Sequence, residues 1–232
     1  MRTRTKAIGL ALALIAGAAL AQTKPAARNW NTTITVTPEG HHVLGNPAAK
    51  TRLTQFVSYT CPHCAQFEEQ ADAQLRVSFV ATGKGAVEVR NFVRDPVDLT
   101  AALLTNCGPA NKFFLNHTAF LRSQDKWIAP LANPSPAQRA RWTSGAFAQR
   151  TRAIATDFKF YPIMASRGYT RQQTDKCLAD EALANRLATS TQEAQEELSV
   201  SGTPSFAIDG DVLAGTHSWA ALRPQLAARL SN

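Results

Sequence analysis

Apolar positions along this chain change period several times, and each change predicts an element. Ala7 to Leu20 is an unbroken run of small and apolar residues behind a basic start. Ile34-Thr35-Val36 is read as a first short strand, with a turn at Pro38-Glu39-Gly40. Leu53 to Tyr59 is rich in β-branched and aromatic residues, the signature of a buried strand. Phe67, Ala71, Leu75 and Phe79 then recur every four residues, which predicts a helix over 67–80. After a turn at Gly83-Lys84-Gly85, a second strand follows through Val87, Val89 and Asn91-Phe92-Val93. Strand, helix, strand is the unit of a parallel sheet, so the fold class is α/β.

From Leu99 to Leu198 the pattern is helical throughout. Ser135-Pro136-Ala137-Gln138 combines an N-cap, a proline at the first helical position and a capping-box glutamine, and Thr170 to Gln173 repeats the box. Asp180 is expected to cap a long helix over 181–198 that Ser201-Gly202 ends. Strands over 205–208 and 212–214 form a hairpin around Asp209-Gly210. A last helix starts near Ser218, where Pro224 implies a kink or a later start. The chain thus divides into residues 1–21, a loose leader over 22–30, an α/β part over 31–98, a helical block over 99–198 and a hairpin plus helix over 199–232. No internal repeat is visible.

The first of these segments changes the picture most. Arg2, Arg4 and Lys6, the apolar run and the small residues Ala19-Leu20-Ala21 have the order of a secretory signal peptide, with cleavage expected after Ala21. The run is short for a membrane span, and no cysteine follows the cleavage site to take a lipid. The mature protein is expected in the periplasm. Its removal takes three basic residues out of a formal charge of +8. The remaining basic excess suits anionic surfaces or acidic clients, and no nucleic-acid motif is present.

Four cysteines in an oxidising compartment invite pairing. Cys61 and Cys64 sit three apart in Cys-Pro-His-Cys, where a strand gives way to a helix. That position offers the first sulfur free backbone N–H groups and the helix dipole, which stabilise a thiolate. Pro62 has no N–H to lose, and His63 can add charge or a hydrogen bond. Cys64, one turn on, is within reach of a disulfide and is expected to be the less exposed of the two. Cys61 is then the attacking or attacked sulfur and Cys64 the resolving one. Other readings of the pair are half of a zinc site, which lacks a second matched pair, an inert disulfide, or a Cu(I)-binding module using Cys61, Cys64 and His63. Gly202-Thr203-Pro204-Ser205-Phe206 lies ahead of the late hairpin. An X-Pro bond there is either an ordinary trans turn or a cis bond that leaves backbone free to pair with an extended peptide.

Together, Phe56-Val57-Ser58-Tyr59-Thr60-Cys61-Pro62-His63-Cys64-Ala65-Gln66-Phe67-Glu68 and Gly202-Thr203-Pro204-Ser205-Phe206 resemble the active-site segment and cis-proline loop of the DsbA-like thiol:disulfide oxidoreductases. The resemblance implies a thioredoxin-like fold with an inserted all-helical domain, its two halves being 31–98 and 199–232. It implies a periplasmic dithiol oxidase that passes its disulfide to exported proteins with unpaired cysteines and is reoxidised by a membrane redox partner. No cofactor and no metal are implied. Cys61, Cys64 and His63 carry over as catalytic residues, and Thr203 and Pro204 as the substrate-binding pair. Two departures stand out. The family's oxidases carry a buried glutamate six residues before the first cysteine, where this chain has Gln55, which cannot carry a proton for Cys64. Threonine before the proline is also common in isomerase and reductase relatives. No dimerisation domain of the isomerase kind is seen, so a monomer is expected.

Cys107 and Cys177 both fall in the helical block. They are expected to form a structural disulfide, the alternatives being a second redox relay or free thiols. His41-His42 reads as solvated, His117 and His217 as isolated. His217 follows the hairpin and can approach the active-site face. Trp30, Trp127, Trp142 and Trp219 read as packing residues.

Overall fold

The computed structural model describes residues 28–230. The signal-like segment and the leader as far as residue 27 lie outside the described residues. Asn29 caps a short 3-10 turn, Trp30–Thr32, by accepting from the Asn31 N–H. The Trp30 indole packs so close to Gly83 that a Cβ there would lie 2.5 Å from its Nε1.

Six strands form one sheet: β1 (Ile34–Val36), β2 (His42–Gly45), β3 (Thr51–Val57), β4 (Gly85–Asn91), β5 (Ser205–Ile208) and β6 (Asp211–Val212). Their spatial order is β1-β2-β4-β3-β5-β6. Only β3 and β4 run parallel, with Leu53 beside Val87 and Gln55 beside Val89. A parallel pair needs a crossover. Helix α1 (Pro62–Leu75) makes it and continues into a π-helical turn at Arg76–Val80. A repeat of four outruns a helix of about 3.6 residues per turn. The wider π turn corrects that drift, and Phe79 returns to the core beside Phe67, Ala71 and Leu75.

Central β3 is covered on both faces. Leu53 and Val57 pack in the cluster that contains α1, and Phe56 packs with Phe92, Ala194 and Val200 in a second cluster. Between β4 and β5 the described residues contain only helices. Besides a 3-10 turn at Ala110–Lys112, these are α2 (Pro96–Thr105), α3 (Phe113–Arg122), α4 (Gln124–Trp127), α5 (Ala129–Ala132), α6 (Pro136–Thr143), α7 (Phe147–Asp157), α8 (Phe160–Ser166), α9 (Arg171–Leu178) and α10 (Glu181–Glu196). Ser135 with Gln138, and Thr170 with Gln173, close capping boxes on α6 and α9, and Asp180 caps α10. An aromatic core of Phe120, Trp127, Trp142, Phe158 and Phe160 holds the block, with Trp127 and Phe160 ring centres 5.0 Å apart. The architecture is a thioredoxin-like sheet interrupted by a helical insertion.

The hairpin β5–β6 turns on Asp209 and Gly210, both at positive φ (55° and 95°), as a type I′ turn requires. Helix α11 (Trp219–Leu230) runs through Pro224. That proline is the sixth residue of the helix, past the first four N–H groups that lack a helical partner, so it forgoes one helical hydrogen bond. The expectation that His41 and His42 are solvated is corrected: they are 7% and 8% exposed. Strand β2 is flanked by β1 and β4, and His42 stacks on Phe113 with ring centres 4.0 Å apart. Burial drives the His42 imidazole down to about 4, so it is neutral.

Cys107, just beyond α2, is bonded to Cys177 in α9, with Cα atoms 5.6 Å apart and 70 residues of chain between. Loop closure of that length restrains the unfolded chain by about 4 kcal/mol. Replacing both cysteines with serine is expected to lower the unfolding free energy by about that amount, read from urea titrations. A loss below about 1 kcal/mol would show that the bond does not hold the block together.

Candidate active site

Strand β3 delivers the chain to a tight turn at Ser58–Thr60, and Cys61 follows as the N-cap of α1 with extended φ −92° and ψ 116°. Pro62 fills the first helical position. The turn is pinned by acids from the start of α2. Asp98 accepts from the Tyr59 N–H at 2.7 Å and the Arg94 N–H at 3.0 Å, and the Thr60 hydroxyl donates to Asp95 at 2.7 Å. Asp95 also caps α2 through the N–H groups of Val97 and Asp98.

Cys61 and Cys64 are both free thiols. Cys64 is expected from the sequence to be the less exposed of the two; in the structure both are almost fully covered, Cys61 1% and Cys64 2% exposed. The Thr203–Pro204 segment explains the cover. It arrives from 142 residues away, with a cis bond between its two residues, and the Thr203 carbonyl accepts from the Cys61 thiol at 3.1 Å. Thr203 offers a second group: its buried hydroxyl has no hydrogen-bond partner and is free to donate to a thiolate.

The two sulfurs have opposite acidities. Cys61 is drawn down to about 5, first by hydrogen bonding from the Cys64 thiol and then, against the cost of burial, by Thr203 and by the backbone N–H groups of Cys64 and His63. Cys64 is pushed well above its ordinary value, chiefly by burial and then by the neighbouring Cys61. At neutral pH the pair is a Cys61 thiolate beside a Cys64 thiol. The His63 side chain is exposed, and its contribution to Cys61 comes through its main-chain N–H. His217 comes to the same loop, with Nδ1 2.9 Å from the Pro204 carbonyl. A carbonyl only accepts, so Nδ1 carries the proton. Cys107 and Cys177 take no part in this cluster. Among the described residues no three His, Cys, Asp or Glu side chains gather as a metal site.

Gln55 lies on the α1 side of β3, where it lines a cavity of about 20 Å³ together with Glu68, His117 and Thr118. That volume holds a single water. Glu68 is one turn beyond Cys64 on α1, buried, and accepts from the Thr118 hydroxyl at 2.7 Å. Burial, with Asp72 adding to it, raises the Glu68 carboxyl to about 7. His117 lies 3.7 Å from Glu68 and 2.9 Å from the Tyr59 hydroxyl, and burial lowers it to about 3. The sequence reading passed over Glu68 and Asp98. A signal existed for each: Glu68 falls on the apolar stripe of α1, and Asp95-Pro96 marks the start of α2.

Thiolate absorbance near 240 nm should titrate at pH about 5 for Cys61. In Thr203→Val the midpoint should rise, because only the hydroxyl donor is lost. An unmoved midpoint would remove that hydroxyl from the account. For Glu68 the unfolded carboxyl titrates near 4.5 and the folded one near 7, so its proton is held more tightly in the folded state. Its effect on stability therefore turns unfavourable as pH rises through that window and is constant above it. The stability of Glu68→Gln relative to the parent, from urea midpoints, should grow between pH 4.5 and 7 and then level off. A pH-independent difference would contradict the assignment.

Residues 37–228 match the thioredoxin family model. A crystal structure described as a protein-disulfide isomerase from Novosphingobium aromaticivorans is 62% identical, covers 83% of this chain and 98% of its own, and superposes with a TM-score of 0.80. Wolbachia pipientis alpha-DsbA1 shares the fold at 20% identity over 80% of this chain and 87% of its own, with a TM-score of 0.63. A provisionally named protein-disulfide oxidoreductase of Rickettsia bellii is 29% identical over 188 residues, which span 81% of this chain and 63% of that protein. The chain thus spans less than two thirds of that curated relative. It belongs to the thioredoxin family and shares its fold with the DsbA-type structure.

Proposed function

We propose that the protein is an exported dithiol oxidase, exchanging a Cys61–Cys64 disulfide with cysteines of other exported proteins. The observation that carries this reading is the split between the two sulfurs: Cys61 drawn down to about 5 and Cys64 pushed up by burial. A thiolate stabilised in the reduced form makes the disulfide form the more oxidising.

The exchange balances as follows. A client thiolate attacks Cys61 of the disulfide, the Cys61–Cys64 bond breaks, and Cys64 leaves and takes up a proton. A second client thiolate then attacks the client's own sulfur in the mixed disulfide and expels Cys61, whose low pKa makes it a good leaving group. The client loses two electrons and two protons, and the Cys61–Cys64 pair gains the electrons. Thr203 and Pro204 border the sulfur and supply extended backbone for a client peptide to lie against. Return to the disulfide needs an oxidant, which we assign to a membrane redox partner. The basic-apolar-small order of residues 2–21 supports export to the periplasm. Among the described residues no helix is long and apolar enough to cross a membrane.

A second reading, disulfide isomerase, is favoured by the 62% identical structure described as one. The reduction potential together with a scrambled-client assay separates the two. Between pH 5 and the Cys64 range, reduction takes up one proton, so the potential should fall by about 30 mV per pH unit; below pH 5 it takes up two and should fall by about 60 mV. A neutral-pH value well above the glutathione pool marks the oxidase. Reactivation of a scrambled client marks the isomerase, and a value near that of thioredoxin marks a reductase. Cys61→Ser should abolish exchange and Cys64→Ser should accumulate mixed disulfides; full turnover by Cys64→Ser would overturn the assigned roles.

A further inference from the structure

We propose that Gln124, carried by the helical insertion, is a positioning residue for the redox centre; the inference rests on the exchange reading above. Gln124 is the first residue of α4 and is 4% exposed. Its side-chain amide nitrogen donates to the Tyr59 carbonyl at 2.6 Å and to the Cys61 carbonyl at 3.0 Å. Two carbonyls can be met only by the –NH₂ end of the amide, so its orientation is fixed by chemistry.

These two acceptors bracket the turn that presents Cys61. The Cys61 carbonyl also accepts from the N–H groups of Cys64 at 3.1 Å and Ala65 at 3.3 Å, which makes it the first link of α1. Gln124 therefore fixes the peptide plane from which the helix starts. The N–H groups of His63 and Cys64 that stabilise the Cys61 thiolate take their direction from that plane. Tyr59 is held from three sides, by Asp98 on its N–H, Gln124 on its carbonyl and His117 on its hydroxyl. All three partners lie in the segment between β4 and β5.

The mount of Gln124 is rigid. Trp127, one turn on, is 3% exposed, donates its indole N–H to the Phe120 carbonyl at 3.0 Å and packs on Phe160. The insertion thereby sets the acidity of a sulfur in the other domain through one amide. An acidic or apolar replacement leaves two buried carbonyls without this donor.

The test is the Cys61 thiolate titration of Gln124→Met, which keeps the packing volume and loses the donor, with Gln124→Asn as the variant that keeps an amide. The expected result for Gln124→Met is a midpoint raised by about one unit, a tenfold fall in the thiolate-to-thiol ratio, with the equilibrium against glutathione shifted tenfold toward the disulfide. Gln124→Asn should recover part of the shift. Trp142→Phe, a packing change elsewhere in the insertion, should lower the melting temperature and leave the midpoint alone. A lower melting temperature for Gln124→Met with an unmoved midpoint and glutathione equilibrium would overturn the proposal. If Gln124→Met does not fold, Gln124→Asn decides by the same readout. The titration needs no client, so an absence of exchange in the parent protein would sink the proposed function and leave this arm readable.

Discussion

Two thiols one helical turn apart have nearly the same chemistry in an unfolded chain, and here they are driven in opposite directions. For Cys61 the largest cause is the Cys64 thiol, which donates to its sulfur, followed by Thr203 and the free end of α1. Cys61 precedes the first helical residue, where the opening N–H groups have no carbonyl to meet, and a thiolate satisfies them. Cys64 lies inside the first turn and deeper in the protein, where burial penalises charge. The surrounding structure serves this asymmetry: a buried strand aims the chain, Pro62 fixes the first turn, and Asp98 and Asp95 hold the approach.

The second requirement is a cover that excludes water and still accommodates charge. The Thr203–Pro204 segment meets it from 142 residues away. Its carbonyl accepts from the thiol, and its otherwise unpartnered hydroxyl is available to the thiolate. One residue thus serves both protonation states of Cys61. His217, bonded to the next carbonyl, ties this segment to the chain beyond the hairpin.

Beneath the pair, the protein buries polar groups where an apolar core would be simpler. Gln55, Glu68, His117 and Thr118 share a cavity of about 20 Å³. Glu68 is pushed up to about 7 and His117 down to about 3, so below neutrality this layer carries little net charge and at neutrality Glu68 is about half ionised. Above this layer the Cys64 thiol, Thr203 and the helix end set the Cys61 thiolate.

Much of this was legible in the chain itself. Residues 53–59 announce the central strand, because a run buried on both faces must be apolar or β-branched. The caps at Ser135, Thr170 and Asp180 are local hydrogen bonds between neighbours, and the structure shows each of them. Cys61-Pro62-His63-Cys64 at a strand-to-helix junction fixes where a reactive sulfur must sit, since helix-end chemistry is a local property. The tertiary structure decided the rest. The cover on Cys61, the burial of His41 and His42, the acidity of Glu68 and the reach of Gln124 all depend on segments distant in sequence. Sequence periodicity says which face of an element is apolar, not which distant segment will press against it. Desolvation and long-range hydrogen bonds come from that second choice, and they set the chemistry of the site.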